Sequence, residues 1–155
     1  MMIDNFLTLS GSWSNGTWTG QTVTGASAVL STNTVDLLQN RDIGEGTELN
    51  MRVGVPTAFT GLTALTIEIV VADDAALTTN LTVIGSSGAI PVASLTAGSR
   101  FAVGANPRIG SKGQRYLGVR YTPTGTGTAG AVIAELGDNT IADGQKFYPV
   151  GFAVL

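Results

Sequence analysis

The chain of 155 residues contains no cysteine and no histidine. Without cysteine, disulfides, zinc–thiolate sites and thiol nucleophiles are all excluded. Without histidine, the chain lacks the commonest general base, the Ser-His-Asp triad and the usual ligand of transition metals. These two absences remove the most frequent kinds of catalytic and metal centre.

Charge and long apolar runs are also scarce. Charged residues make up only 12% of the chain, and the net charge is −3. A negative chain has no electrostatic reason to seek the phosphate backbone of nucleic acid. No apolar run approaches the ~20 residues that span a bilayer. Residues 1–8 lack the positive segment and apolar run of a signal peptide, so we expect synthesis in a cytoplasm.

Glycine, threonine and apolar residues are abundant instead. The chain has 21 glycines, about as many threonines, and 43% hydrophobic residues. Apolar and polar residues alternate over residues 48–55 and 65–71, which predicts strands, and Pro56 is expected to end the first. Residues 85–88 are predicted to form a turn. Along the whole chain, about eight such strands are predicted at short spacing, and no window shows the 3.6-residue period of a helix. The sequence therefore predicts a single all-β domain, an antiparallel sandwich or barrel, and the strand number favours a jelly roll.

Residues 115–136 carry the clearest strand pattern. Leu117, Val119 and Tyr121 alternate with polar neighbours, and the period of two resumes at Val132. Pro123 lacks a ladder donor and the following glycines favour turns, so residues 123–130 are predicted to be a loop between two strands. We expect this threonine-rich loop to lie at an end of the sandwich, open to a partner. The segment contains one exposed-looking carboxylate, at Glu135.

The N-terminal residues 1–27 differ in composition and contain both tryptophans. Asn15-Gly16 is a strong signal for a two-residue hairpin, which would place Trp13 beside Trp18 on one face. We therefore predict an N-terminal arm with a β-hairpin over residues 1–27, and a jelly-roll domain over residues 28–155. The indole pair could stack on sugars, dock on another protein, or cover its own sandwich.

Three stretches look superficially like sites for chemistry. Asp73-Asp74 could begin a calcium site, but Ala75 and the next residues carry no ligand oxygens, which favours a solvated turn. Residues 42–48 hold three carboxylates, for which a surface turn is the simpler interpretation. Residues 104–113 lack the glycine spacing and the helix of a phosphate loop. The basic residues between Arg100 and Arg120 suit a solvated face or an acidic protein partner better than nucleic acid.

Several segments, in their order and spacing, resemble one known family, the capsid cement or decoration proteins of tailed bacteriophages of the Bordetella-phage type. The matching segments lie between residues 28 and 136, whereas the tryptophan hairpin departs from the family pattern. They are Ser31–Leu37, Arg41–Gly46, Ala58–Phe59, Ala89–Gly98, Arg115–Thr122 and Gly125–Val132.

This resemblance implies a structural protein of the virion. It implies a jelly roll that binds the outer surface of an icosahedral head and bridges subunits of the major capsid protein. It implies no catalysis, metal or cofactor, and no nucleic-acid or membrane partner. A homo-oligomer is expected, with a dimer favoured and a trimer possible. The alternative is a carbohydrate-binding jelly roll of an adhesion or fibre module; a glycosidase with two carboxylates is a more remote hypothesis.

Twelve residues are candidates for the interface. They combine apolar residues at both ends of the chain, the tryptophan pair, basic residues and the threonines of the predicted loop. They are Phe6, Leu7, Trp13, Trp18, Arg108, Lys112, Thr124, Thr126, Thr128, Phe147, Tyr148 and Phe152.

Overall fold

The computed structural model describes residues 7–41, 49–105 and 114–137. These residues form strands, with a short 3₁₀ turn at Val92–Ser94. In chain order the strands are β1 Thr8–Ser10, β2 Ser12–Ser14, β3 Thr17–Thr19, β4 Gln21–Thr22, β5 Val29–Leu30, β6 Val35–Arg41, β7 Asn50–Ala72, β8 Thr82–Pro91, β9 Arg100–Gly104 and β10 Gln114–Gly137. The described residues include no helix of the length and apolar character that a membrane crossing requires.

Two long strands, β7 and β10, form the centre of the fold. They pair antiparallel from Tyr116 opposite Ala72 to Gly137 opposite Asn50, with four irregularities in the register. The first half of β10 pairs with β5 and β6 on its other edge, and the second half pairs with β4 and β1. β8 pairs with one half of β7 and β9 with the other. The result is one curled antiparallel sheet of eight strands.

The long pair bends in its middle, where a loop was predicted. Residues 123–130 belong to β10, so the prediction of two strands separated by a loop is wrong. Gly125 has φ +88° and the register shifts on both of its sides, which lets the strand bend without ending. A Cβ at Gly130 would overlap the ring of Phe59, so the two strands approach closely here. The same residues that predicted a loop therefore form a bend.

Two other places where a strand was predicted to end also lie inside strands. Pro56 lies inside β7, at a bulge where three steps from Gly54 to Thr57 face two steps on β10. A bulge tolerates proline because the ladder bond is already interrupted there. The predicted turn at residues 85–88 lies inside β8, where the backbone N–H of Ile67 donates to Ser87 Oγ at 3.0 Å.

The bend turns the two halves of the sheet into a sandwich with one core. Inward-facing residues of both halves pack in a single cluster that contains Leu65, Ile67, Val119 and Val132. Each fully buried aliphatic side chain of this kind stabilises the fold by roughly 1.5–3 kcal/mol. Tyr121 crosses the core, and its buried hydroxyl hydrogen-bonds with Ser10 Oγ at 2.8 Å. The predicted all-β antiparallel sandwich and its inward-facing positions are confirmed.

Polar side chains close the edge between the two halves. Gln21 Nε2 donates to the carbonyl of Leu30 at 2.7 Å, and the N–H of Thr32 donates to Gln21 Oε1 at 3.0 Å. Asn33 Nδ2 donates to the carbonyl of Thr8 at 3.1 Å. These bonds join β4 and β1 to the segment around β5. β1 and β4 also pair with the long strand β10. The predicted division of the chain into an arm and a domain at residue 27 stays a prediction.

Candidate interaction surface

The tryptophan hairpin forms as the sequence predicts. β2 and β3 pair separately from the main sheet, with Trp13 opposite Trp18 and Ser14 opposite Thr17. Asn15 and Gly16 both have positive φ, +49° and +78°, as a two-residue turn of the primed type requires. The local sequence alone therefore determines this element.

The two indoles are not equivalent. Their ring centroids are 5.2 Å apart and their planes are tilted by 56°, between a stacked and an edge-to-face arrangement. Trp13 is 49% exposed, whereas Trp18 is half-buried. A tilted pair does not offer two coplanar faces, so it presents one accessible indole supported by another.

The hairpin is fixed to the sandwich at its base. A Cβ at Gly20 would lie 2.7 Å from Pro56 Cγ and 3.0 Å from the Cβ of Ala131. A Cβ at Gly11, where φ is +88°, would lie 2.7 Å from the carbonyl oxygen of Thr19. Neither end of the hairpin therefore has room for a Cβ: side chains of the sandwich occupy the space at Gly20, and the hairpin's own Thr19 carbonyl occupies it at Gly11.

The three candidate threonines Thr124, Thr126 and Thr128 lie on the bend of β10, and all three are exposed. The hydroxyls of Thr60 and Thr128 hydrogen-bond at 3.0 Å. Thr63 Oγ1 donates to the carbonyl of Thr124 at 3.0 Å. The threonines are accordingly presented by paired strands rather than by the free loop that was predicted.

Among the described residues, one end of the sandwich, centred on this bend, contains no charged residue. We call it the uncharged end and define it as residues 20–28, 55–64, 91–99 and 122–131. Backbone hydrogen bonds join the four segments. They are Gly25 N–H to the Gly127 carbonyl (2.8 Å), Phe59 N–H to the Leu95 carbonyl (3.0 Å) and Gly98 N–H to the Val55 carbonyl (2.8 Å). Its exposed residues are mainly threonine, serine, alanine and glycine, and the hairpin is attached to it through Gly20.

Two of the predicted basic residues are paired within the chain. Arg115 makes two bonds to the carboxylate of Asp36, from Nε at 2.7 Å and from Nη2 at 2.8 Å. Its guanidinium also lies 5.2 Å from the ring centre of Tyr116. Arg120 Nε donates to Glu68 Oε2 at 2.7 Å, directly across the strands. Because Arg115 and Arg120 face acidic partners in their own chain, they do not form a free basic face.

The Asp73-Asp74 segment forms a hydrogen-bonded turn. Asp74 accepts bonds from the N–H of Thr78 (2.9 Å), the hydroxyl of Thr78 (2.8 Å) and the N–H of Thr79 (2.6 Å). These bonds, chiefly that from Thr79 N–H, lower the pKa of Asp74 to about 2. The turn places Leu77 over Val70 and Ala72 on the outer face of the sheet. In the described part of the chain, no group of three or more acidic side chains is arranged to hold a metal ion.

Glu135 is half-buried, and its description as exposed is wrong. It lies opposite Thr8 on one side and opposite Arg52 on the other. Burial raises the pKa of the Glu135 carboxyl, and the charges of Arg52 and Arg100 oppose that rise. The carboxylate is thus part of the packed sheet surface.

The remaining candidates divide into two groups. Leu7 is half-buried beside β1. The others lie outside the described residues, as does the carboxylate-rich stretch 42–48; these candidates are Phe6, Arg108, Lys112, Phe147, Tyr148 and Phe152. Sequence reasoning missed Thr60 and Thr63, which face the candidate threonines across the bend. The sequence feature that could have identified them is that neither residues 53–67 nor residues 121–134 contain a charged residue.

A family model describes most of this fold. The model of the family Bbp16 matches residues 18–136, which is more than half of the chain. The chain belongs to the Bbp16 family. Bbp16 is a family of Bordetella phage proteins, so this chain is a phage protein. None of the curated proteins that were compared matches it.

The Bbp16 match covers the segments on which the resemblance to Bordetella-phage proteins was based. It includes the whole of the uncharged end, all of β7, and β10 except for Gly137. It begins at Trp18, so β1, β2 and Trp13 precede it. The phage origin inferred from the sequence is thereby confirmed, and the accessible indole lies in the part of the chain that the family model does not cover.

Proposed function

We propose that this Bbp16 protein is a capsid cement or decoration protein. In this proposal it binds the outer surface of a phage head and bridges neighbouring subunits of the major capsid protein. It acts without catalysis, metal or cofactor, and it assembles as a homo-oligomer, for which we favour a dimer. Binding that prefers the assembled shell over free subunits stabilises the shell by linkage.

The observation that carries the proposal is the uncharged end in a chain of a phage family. Its four segments come together only in the fold, and no charged residue occurs in any of them. Burying such a surface costs no desolvation of charge, and the centres of protein interfaces are depleted of charged residues. A small-residue surface also allows close approach of a partner's backbone. The uncharged end therefore suits contact with another protein.

The net charge supports an outer rather than an inner position. The chain carries a net charge of −3, and packaged DNA repels an acidic protein. A standard interface of roughly 1,600 Å² is enough for specific attachment.

A reconstitution experiment tests the proposal. Phage heads are stripped of the protein and incubated with the purified full chain, and binding is measured by co-sedimentation. We expect saturable binding, together with a higher temperature or force of rupture for redecorated heads than for stripped heads. Absence of binding, or equal rupture of stripped and redecorated heads, would contradict the proposal.

The carbohydrate-binding alternative depends on the tryptophan pair. A flat platform of two indoles is the arrangement that would favour sugar stacking, whereas Trp13 and Trp18 are tilted by 56°. This geometry gives the alternative less support than the sequence pattern did. A glycan array, probed with the purified chain, tests it: binding to glycans without binding to heads would replace the cement proposal.

A further inference from the structure

Trp13 differs from other large apolar side chains of the fold. Among the residues that the structure describes, only Trp13 and Leu38 are large hydrophobic side chains exposed to solvent, at 49% and 76%. Leu38 lies on β6 next to the Asp36–Arg115 ion pair, and its N–H donates to Asp36. Trp13 lies on a separate hairpin whose eight residues carry no charge.

The hairpin holds Trp13 in a fixed orientation. Trp18 lies against it with ring centroids 5.2 Å apart, and both ends of the hairpin continue directly into strands of the main sheet, through Gly11 to β1 and through Gly20 to β4. A tryptophan side chain has only two rotatable bonds, and here its neighbour already restricts them. Little conformational entropy is therefore lost when Trp13 is buried by a partner.

The surroundings of Trp13 indicate the chemistry of its partner. Residues 5–35 contain no charged residue, so the hairpin and its attachment present only hydroxyl, amide and apolar groups. A complementary surface is an uncharged pocket with apolar walls. Among its described residues, a second copy of the chain exposes one other large apolar side chain, Leu38, which lies beside an ion pair, so this part of the chain offers few such walls.

We propose that Trp13 is the anchor of a protein-docking hairpin and inserts into an uncharged, apolar-walled pocket of the major capsid protein. Trp18 is a positioning residue that supports the Trp13 ring. This inference rests on the proposed cement function and adds to it a specific residue and a specific kind of receptor. Large aromatic side chains are the commonest anchors at the centre of protein interfaces.

The test compares Trp13→Ala with matched variants in binding to stripped heads. Truncating an anchor of this kind weakens binding by roughly 30-fold or more. Leu38→Ala, the matched control, removes the other exposed large apolar side chain of the described residues, which lies on β6 outside the hairpin, and should bind as the native chain does. Trp13→Lys places a charge in the pocket and should bind no better than Trp13→Ala. Thermal unfolding of each variant verifies that the sandwich is intact.

Salt gives a second readout. Because the proposed contact contains no charge, affinity should change by less than about twofold over a tenfold rise in salt concentration. A strong salt dependence that persists in Trp13→Ala would identify an electrostatic contact and overturn the inference.

Four further outcomes are decisive. If the native chain binds heads and Trp13→Ala binds equally well, the anchor is excluded while the cement function stands. If the native chain does not bind heads, both proposals fail. If Trp13→Ala converts an oligomer to a monomer, the pocket belongs to a second copy. If a free neutral glycan competes for binding, the receptor is a carbohydrate. The last two outcomes overturn the assignment to the capsid protein.

Discussion

The two ends of the sandwich are held by different kinds of interaction. At the uncharged end, the conformation depends on glycines, bulges and backbone hydrogen bonds around the bend of β7 and β10. At the other end, where β7 finishes and β10 begins, it depends on carboxylates. We call that the charged end and define it as Asp36, Asp73, Asp74 and Arg115.

The uncharged end is a protein surface whose conformation does not depend on charged side chains. Glycine conformations, close packing and threonine hydroxyls stabilise the bend, so no charged side chain takes part in it and the surface stays neutral. The carboxylates of the charged end make the turn after β7 and join β6 to β10, but they leave a surface that responds to pH and salt. The uncharged end is the better candidate for a protein interface for that reason.

Gly130→Ala should have the largest effect on stability. A Cβ at this position would overlap the ring of Phe59, and the backbone has φ +147°. Overpacking of this kind typically costs up to about 3 kcal/mol in the free energy of unfolding. Urea denaturation measures the loss, which we expect to be the same at pH 4 and pH 7 because no charge is involved.

Gly54→Ala is the matched control on β7. No heavy atom lies within 4 Å of a Cβ at this position, and its φ is negative. The substitution should leave the free energy of unfolding nearly unchanged. Equal destabilisation by the two alanines would show that close packing at the bend does not determine the fold.

Tyr121 lies in the core between the two ends, and Tyr121→Phe should lower the free energy of unfolding by an intermediate amount. It leaves the buried hydroxyl of Ser10 without the partner it has at 2.8 Å, which costs about 1–2 kcal/mol. Burial also raises the pKa of Tyr121 above its ordinary value of 10.0. The unfolded chain therefore releases this proton first, and stability falls as pH rises above about 10.

A double-mutant cycle checks the Tyr121 prediction. Ser10→Ala combined with Tyr121→Phe should cost less than the sum of the two single substitutions, because both partners are then removed together. The native protein should lose more stability than Tyr121→Phe between pH 9 and pH 11, measured by denaturation at each pH. Additive losses with parallel pH profiles would exclude the cross-sheet bond as a stabilising contact.

Acid should weaken the charged end. Hydrogen bonds lower the pKa of Asp74 from 3.8 to about 2, and the Arg115 guanidinium lowers the pKa of Asp36 likewise to about 2. Each carboxylate contributes stability that is present above the unfolded pKa and is lost as pH falls through the folded pKa. Asp74→Ala should lower stability at pH 7, and the acid-induced loss below pH 4 should be smaller than in the native chain.

Hydrogen exchange locates the acid effect within the fold. The protection factors of amides in the turn after Asp74 should fall in acid and in Asp74→Ala, whereas those of amides around Gly25 and Gly127 should not change. Protection that falls equally at both ends would mean that the carboxylates do not act locally.

Arg115→Ala should have the smallest effect. The Arg115–Asp36 pair is partly exposed, with side-chain exposures of 42% and 37%, so water and salt screen it. We expect the loss in the free energy of unfolding to be smaller than that of Tyr121→Phe and to disappear as salt concentration rises. Chemical denaturation by urea in low and high salt measures it, and a loss that is independent of salt would point to packing of the guanidinium on Tyr116 instead.

Local patterns predicted the parts of the fold that local interactions determine. Asn15-Gly16 predicted the hairpin, because both positions tolerate the positive φ that its turn requires. Alternation at Leu65, Ile67 and Val119 predicted the core faces, because the side-chain period of a strand is two residues. The indoles were correctly placed side by side, but their tilt and unequal exposure depend on packing that the pattern does not contain.

Proline and glycine misled the prediction where the chain bends rather than turns. Pro56 and Gly125 are as typical of a bulged strand as of a loop, and only the pairing partner distinguishes the two. The threonines of the bend were recognised as exposed, whereas their partners Thr60 and Thr63 were not, because they are far apart in sequence. Likewise, Glu135 gave no local sign of its partial burial between β1 and β7, which pair with β10 on either side of it.

The sequence by itself determined that the protein is all-β, lacks thiol and imidazole chemistry, and carries a tryptophan hairpin, because composition and short-range geometry decide these properties. Only the tertiary structure decided that β7 and β10 are continuous bent strands and that four uncharged segments form one end. The physical reason is that pairing between residues distant in sequence selects the bend over a loop. That same pairing gathers the neutral surface next to Trp13.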